Sequence, residues 1–286
     1  MKKKIKINPY IYILLSMLCL ITFIYYPAIK TMIKSLYLVN AQNRPVKFIG
    51  LENYIKLFSD PEFINSIKVT FTYALVVVPC TLLISLILAL FSSRKRKMSV
   101  VYELLYAVPM AVSVSVACVV FSILLNGNLG LINHVFHLNV QWFTDKNVTL
   151  IALMFIGIWL DIGMNYLFML SAVRGVPAEL LEAAEIDGAG ILQKVKSIIA
   201  PLISPTVFYL FCVDMGAALM MSGPVIILTN GGPSGATNTM IYYMYKKGFY
   251  IFNYGLSYAA AVIAFIIGFI AVLIAFVWER KGVKYS

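Results

Sequence analysis

Long apolar runs alternate with short polar connections along almost the whole chain. About 20 consecutive apolar residues in a helix cross the roughly 30 Å of hydrocarbon in a bilayer. Each crossing segment must be helical, because the bilayer core offers no water to an open backbone. The pattern therefore predicts an all-α integral membrane protein with six transmembrane helices. These lie at about residues 10–30, 66–91, 100–125, 148–172, 199–222 and 255–278.

Composition agrees with this class and excludes a soluble domain. Hydrophobic residues make up 61% of the chain and charged residues only 12%, and the mean hydropathy is +0.88. The formal net charge is +11. The basic residues flank the apolar runs instead of forming one patch, so no nucleic acid partner is expected. No metal site is predicted either, because the four cysteines lie inside apolar runs without metal-ligand spacing.

Basic residues predict the orientation of the spans. Lysine and arginine are enriched in the cytoplasmic loops of membrane proteins. Four basic groups alternate with less basic loops, so we expect these groups on the cytoplasmic side and both termini inside the cell. The groups are Lys2, Lys3, Lys4 and Lys6; Arg94, Lys95, Arg96 and Lys97; Arg174, Lys194 and Lys196; and Arg280, Lys281 and Lys284.

We expect two parts in the chain. Residues 1–64 would hold the N-terminal cytoplasmic tail, the first transmembrane helix and a long outer connection. Residues 65–286 would form a core of five helices, with a charged cytoplasmic loop at 174–200.

Two outer features carry local turn and helix signals. Asp60-Pro61 predicts a helix start, with Asp60 as N-cap and Pro61 in the first helical position. Between the fifth and sixth spans, two adjacent glycines followed by a proline at 231–233 predict a tight turn.

The charged segment Pro177–Pro201 lies between the fourth and fifth spans. Pro177 suits the first position of a helix, and Gly188 and Gly190 would break that helix before a second one leads into span five. The alternative is an amphipathic helix lying on the bilayer, but such helices usually carry lysine and arginine on their polar face. This one is acidic in its first half, which favours docking to a protein partner.

The same segment resembles the EAA loop of type I ABC importer permeases, with one departure. Ala200 stands where that family usually has leucine. The outer segment at 50–54, with Asp60-Pro61, and the turn at 230–233 are similar to those of the carbohydrate-uptake branch, in subunits of the maltose F type or the glycerol-3-phosphate A type. The residues that meet the EAA pattern are Glu182, Ala183, Ala184, Gly188, Ile198 and Pro201.

The resemblance implies a type I ABC importer permease fold with a cytoplasmic coupling helix, in a bacterial plasma membrane. It implies a second homologous permease subunit, an ATPase dimer that receives the coupling helix, and an extracellular or periplasmic binding protein. The chain would be non-catalytic and bind no cofactor, with ATP and Mg²⁺ on the ATPase. In agreement, it contains no Gly-Lys dipeptide and therefore no P-loop of the usual type. The implied ATPase-coupling residues are Glu182, Ala183, Ala184, Asp187 and Gly188.

The substrate pathway is harder to predict. Asp161 and Asp214 are ionisable residues within spans, and such residues usually face a cavity or a partner. They would either bind substrate or hold the two permeases together, and Trp159 would either stack on a sugar or pack in the core. By resemblance and by the mixture of aromatic and polar groups, the candidate pathway residues are Trp159, Leu160, Asp161, Met164, Asn165, Asp214, Met221 and Ser222.

The function that these patterns favour is that of one half of the translocation pathway for a sugar or oligosaccharide. A glycerol-3-phosphate or polyol-phosphate importer is the nearest alternative. An ion-coupled secondary transporter using Asp161 and Asp214 is a second one, but the chain lacks paired interrupted helices in matching halves. Motifs of membrane enzymes, such as H-E-x-x-H and G-x-S-x-G, are absent from the sequence.

Overall fold

The computed structural model describes residues 9–93 and 97–282. The α-helices are α1 (Pro9–Leu20), α2 (Tyr26–Lys34), α3 (Glu52–Ser59), α4 (Pro61–Ser92), α5 (Ser99–Ala107), α6 (Val114–Leu124), α7 (Leu131–Val135), α8 (Thr149–Arg174), α9 (Ala178–Ile186), α10 (Ile191–Lys194), α11 (Ala200–Leu219), α12 (Met240–Tyr245) and α13 (Tyr254–Gly282). Short 3-10 or π-helical turns join several of them, at Ile21–Tyr25, Val108–Ala111, Val195–Ile199, Val225–Thr229 and Lys246–Tyr250. Two short strands, β1 (Tyr37–Val39) and β2 (Pro45–Phe48), pair antiparallel in the connection between the first two spans.

The predicted helical membrane protein is confirmed. Within the described residues, five helical segments are long and apolar enough to cross a membrane, and six if a bent pair of helices counts as one crossing. The five segments are Ile13–Lys34, Pro61–Ser92, Thr149–Arg174, Ile191–Leu219 and Tyr254–Val277. Much of the predicted orientation signal lies outside the described residues or their side chains, namely Lys2, Lys3, Lys4, Lys6, Arg94, Lys95, Arg96, Arg280, Lys281 and Lys284.

The third predicted span, at about 100–125, is a bent pair of helices. The chain bends there by 105° between Ser99–Ala111 and Val114–Leu124. Pro109 lies in the 3-10 turn at the bend, where its missing N–H and its ring do not suit an α-helix interior. Ser113 then takes an extended conformation, and its hydroxyl accepts a hydrogen bond from the Val116 N–H at 3.3 Å, which starts α6 as a new helix.

The chain forms two compact units, each built from two stretches of sequence. Of the described residues, one unit contains 9–60 and 244–263, and the other contains 61–93, 97–243 and 264–282. The helix α13 contributes to both.

In the first unit, polar side chains organise the connection between the first and second spans. The Asn53 amide donates to the backbone carbonyls of Ser35 and Tyr37, at 2.7 and 3.0 Å. The Lys34 ammonium donates to the backbone and side-chain oxygens of Asn43, both at 2.8 Å. These bonds hold α3 and the strand pair against the end of α2. The apolar side chains of the first span, by contrast, are exposed along its length.

In the second unit, α4 packs along α8 around a glycine. A Cβ at Gly157 would collide with the Tyr73 hydroxyl, so only glycine lets the two helices approach this closely. Tyr73 is 3% exposed, and Leu153 and Ile156 on α8 are fully buried. The core of this unit is therefore the seam between the second and fourth spans.

A second glycine on α8 receives the bend of the third span. A Cβ at Gly163 would lie 2.7 Å from the Met110 backbone nitrogen and 3.1 Å from the Ala107 carbonyl oxygen. The turn at Val108–Ala111 therefore rests directly on α8, two residues from Asp161.

We predict that Gly163→Ala destabilises the isolated chain in detergent by about 1–3 kcal/mol, because the added methyl group must push the backbone of the bend away from α8. Gly216→Ala is the matched control. A Cβ there meets nothing within 4 Å, and alanine is the better helix former. Thermal unfolding followed by fluorescence measures both variants. Equal melting temperatures for the two would contradict the close approach at Gly163.

Candidate coupling loop and substrate pathway

The predicted coupling helix is α9, which follows α8 after a three-residue linker. Pro177 precedes the helix as its N-cap residue, with φ −56° and ψ 129°. The prediction that Pro177 takes the first helical position is therefore wrong by one residue. The extended ψ fits a residue outside the helix, and the helix begins at Ala178.

Gly188 ends the coupling helix in a left-handed conformation. Its φ is +78°, which side chains with a Cβ rarely adopt. The Gly188 N–H donates to the Glu185 carbonyl at 3.1 Å, and the Ala189 N–H donates to the Ala184 carbonyl at 2.8 Å. This pair of bonds is the Schellman motif, which satisfies carbonyls at a helix end and reverses the chain direction.

A second helix then leads into the fifth span. Gly190 is the N-cap of α10, and the helix continues through the π-helical turn into α11. An ion pair of 2.8 Å between Lys194 and Glu185 joins α10 to α9 across the bend. The predicted helix, bend and helix are present.

The outer surface of this coupling loop is exposed in the chain. Of the five predicted coupling residues, Glu182, Ala183, Asp187 and Gly188 are exposed and Ala184 is half-buried. Three apolar side chains beside them, which the sequence pattern did not single out, are also highly exposed: Ile186 at 87%, Ile191 at 81% and Leu192 at 85%. The sequence feature that could have indicated them is a set of apolar residues within the otherwise polar stretch around Gly188. Such a cluster is typical of a surface that another protein covers.

The candidate pathway residues lie on α8, on α11 and just after it. Asp161, Leu160 and Trp159 are half-buried, and Met164 is exposed. Asn165 and Asp214 are buried, at 2% and 8% exposure. After α11, Met221 is buried and Ser222 half-buried.

Asn165 and Asp214 form a polar contact between α8 and α11. The Asn165 amide donates to Asp214 Oδ1 at 3.2 Å and to the Asp161 backbone carbonyl at 3.0 Å. Asp214 Oδ2 and Asn165 Oδ1 are buried without a hydrogen-bond partner among the described residues. One expectation for Asp214 is a contact that holds two permeases together, whereas this bond lies within one chain. The substrate role of these residues stays a prediction.

Trp159 packs on an aromatic neighbour. Its ring meets Phe121 edge to face, with centroids 5.3 Å apart, and Phe121 in turn contacts Phe155 at 5.8 Å. Phe121 is 5% exposed. The Trp159 ring thus packs against Phe121 between α6 and α8. The side chain is half-buried, so part of it remains accessible.

The turn before the sixth span is tied to the start of α4. Asn230 and Gly231 both have positive φ, at +48° and +76°. The Asn65 amide donates to the Gly235 carbonyl at 2.8 Å, and the Asn238 amide donates to Glu62 Oε1 at 3.2 Å. The predicted tight turn is present, and its position is fixed by the first turns of α4.

A family model of binding-protein-dependent transport system inner membrane components matches residues 82–282, which include α8, the coupling loop and α11. The chain belongs to this family. It is also 32% identical to the sn-glycerol-3-phosphate transport system permease protein UgpA of Yersinia enterocolitica over 282 residues, covering 97% of this chain and 96% of that protein. The resemblance predicted from the EAA pattern is confirmed.

Two solved structures share the fold of this permease. One is a bacterial ABC transporter involved in the import of the acidic polysaccharide alginate, with a TM-score of 0.82, 22% identity and 96% of each chain covered. The other is a bacterial alginate ABC transporter in complex with an alginate pentasaccharide-bound periplasmic protein, with a TM-score of 0.81 and 21% identity over 95% of this chain and 93% of that one. The chain therefore has the fold of an ABC importer permease, as predicted.

Proposed function

We propose that this permease is one of two homologous membrane subunits of an ATP-driven importer and forms half of its translocation pathway. The observation that carries the proposal is the coupling loop. Its helix ends in a rigid Schellman turn at Gly188, and it exposes the acidic Glu182 and Asp187 beside the apolar Ile186. A surface that combines charge with exposed apolar side chains suits a cleft on a soluble partner.

The partner that fits this surface is an ATPase dimer, which would hold ATP and Mg²⁺ and supply the hydrolysis that this non-catalytic chain does not perform. The coupling loop would then lie on the cytoplasmic face, together with both termini. A binding protein would deliver substrate to the opposite face, where the outer turn is fixed to α4 by Asn65 and Asn238. The exposed first span would be covered by lipid or by the second permease subunit.

For the substrate, we propose a sugar or oligosaccharide. The half-buried Asp161 carboxylate on α8 offers a hydrogen-bond acceptor. Trp159, two residues before it on the same helix, offers an aromatic surface. A carboxylate facing the pathway disfavours an anionic solute by charge repulsion. The competing candidate is glycerol-3-phosphate, and it rests on the name of the 32% identical relative.

The test is purification of the tagged full-length chain from its native membrane in mild detergent, followed by mass spectrometry of what accompanies it. We expect a P-loop ATPase and a second permease of this family. The complex is then reconstituted into vesicles with its binding protein, and ATP-dependent uptake of maltotriose, an alginate oligosaccharide and sn-glycerol 3-phosphate is compared. Uptake of maltotriose supports the proposal. Uptake of the alginate oligosaccharide would keep a saccharide as the substrate but contradict the argument from the Asp161 charge, and uptake of glycerol 3-phosphate alone would replace the proposal with the second candidate.

If the chain purifies without partner proteins, and still does so after gentle crosslinking, the proposal of an ATP-driven importer would be contradicted. In that case an ion gradient across the same vesicles should drive uptake without ATP, and Asp161→Asn should abolish it.

A further inference from the structure

The side chain of one arginine, Arg174, contacts two other helices at the point where α8 leads into the coupling loop. Arg174 is the last residue of α8, and its guanidinium donates to both carboxylate oxygens of Glu103 on α5, at 2.6 and 3.3 Å. The same guanidinium donates to the backbone carbonyl of Ser92, the last residue of α4, at 2.8 Å. One side chain therefore holds the ends of α4 and α8 and the middle of α5 together.

The geometry of this contact differs from that of a usual surface ion pair. Arginine contacts both oxygens of one carboxylate, which fixes the relative orientation of the two side chains. The Arg174 and Glu103 side chains are only 30% and 23% exposed. The Ser92 carbonyl lies at the end of a helix, where carbonyls lack intrahelical partners and cations are favoured. The contact therefore fixes the relative orientation of the three helices. Lysine cannot replace Arg174 equivalently, because its ammonium lacks the planar fork that contacts both carboxylate oxygens.

The linker between Arg174 and the coupling helix is too short to move independently. It consists of Gly175, Val176 and Pro177. The Gly175 N–H still bonds to the Ser171 carbonyl at 3.0 Å, Val176 is 8% exposed, and the ring of Pro177 fixes its φ. The orientation of α9 thus follows the end of α8.

On its other side, the ion pair reaches the pathway through α5. This nine-residue helix carries Glu103 and leads into the bend that rests on Gly163. Gly163 lies on α8 between Asp161 and Met164, two of the candidate pathway residues. A helix of this length behaves as a rod of about 13 Å, so a displacement at Glu103 is passed to the bend.

We propose that Arg174 and Glu103 are positioning residues that make α5 and the bend move together with the coupling helix. When a partner moves α9, the ion pair carries the movement through α5 to the wall of the pathway beside Asp161. Without the pair, α9 still docks, but the bend no longer follows it. This inference rests on the proposed function, since it assigns a role within the coupling of ATP hydrolysis to transport.

The experiment uses the complete complex, reconstituted into vesicles with its binding protein and with whichever solute of the uptake panel it transports. Solute taken up and ATP hydrolysed are measured together, and their ratio is compared for the wild type, Arg174→Ala, Glu103→Ala and the double variant. We expect each single variant to bind the ATPase normally, to keep hydrolysing ATP and to lose about fivefold or more in the ratio. The double variant should be no worse than either single one, because the two residues act as a unit.

The charge-swapped variant Arg174→Glu/Glu103→Arg should recover part of the ratio, because it restores the ion pair but not the bond from α8 to Ser92. A merely structural role would lower the yield and both rates together without changing their ratio. The matched control is Glu52→Ala, which removes the exposed ion pair with Lys56 (2.7 Å, 51% and 57% exposed) and should leave the ratio unchanged.

A ratio that stays at the wild-type value in Arg174→Ala and Glu103→Ala would overturn the inference while leaving the importer intact. A wild-type complex without ATP-dependent uptake would instead overturn the proposed function. If Arg174→Ala does not assemble, Arg174→Lys and Glu103→Gln decide by the same ratio, since both keep the size of the side chain and weaken the two-oxygen contact.

Discussion

Replacing Gly188 with valine is expected to abolish the coupling of ATP hydrolysis to transport while the membrane spans stay folded. The left-handed φ of +78° costs a β-branched residue about 1–3 kcal/mol. Since one or two kcal/mol change a population by a factor of about 5–30, the Schellman turn opens and the coupling helix leaves its docking orientation. Stimulation of the co-purified ATPase by the solute-loaded binding protein measures the effect.

Gly190→Val is the matched control for this prediction. Gly190 lies two residues away, is equally exposed, and has φ −68° and ψ 167°, which valine adopts readily. A Cβ meets nothing within 4 Å at either glycine, so the two variants differ in backbone strain and not in crowding. Full coupling in Gly188→Val, or an equal loss in both variants, would contradict the role of the turn.

Replacing Asn165 with leucine is expected to destabilise the chain by about 1–3 kcal/mol, because the buried Asp214 carboxylate loses the amide that donates to it. We expect such a change to lower the melting temperature of the detergent-solubilised protein by several degrees. The double variant Asn165→Leu/Asp214→Leu should recover most of the loss, since replacing both partners leaves no unsatisfied polar group.

The same pair of variants separates the two interpretations of Asp214. If the carboxylate only joins α8 to α11, the double variant keeps both its stability and ATP-dependent uptake in vesicles. If Asp214 binds the solute, the double variant is stable but takes up nothing. A single variant as stable as the wild type would show that the bond at 3.2 Å contributes little.

Much of the fold could be predicted from the sequence, because hydrophobicity and helix-breaking residues act locally. Five of the six predicted spans are found as long apolar helical segments. Pro61 begins α4, and Gly188 and Gly190 separate the coupling helix from the next, as their backbone preferences indicate. The bend in the third span could not be predicted, since a single proline within an apolar run is compatible with a straight, a kinked or a broken helix. Pro79 lies inside α4 without ending it.

More of the coupling loop than of the pathway could be predicted from the sequence. The predicted coupling residues follow a pattern of neighbours along one segment, so Glu182, Ala183, Ala184 and Gly188 could be selected together from the sequence. The exposed Ile191 and Leu192 were missed, because apolar residues near a span are expected to be buried in it.

By itself, the sequence determined that this chain is a helical membrane protein with a charged loop between its fourth and fifth spans, and it supplied the pattern that identifies its family. Only the tertiary structure decided which polar groups meet. The bond from Asn165 to Asp214 spans 49 positions, and the contacts of Arg174 with Glu103 and Ser92 span 71 and 82. Such pairings depend on how the helices pack and on the 105° bend, which hydrophobic periodicity does not encode.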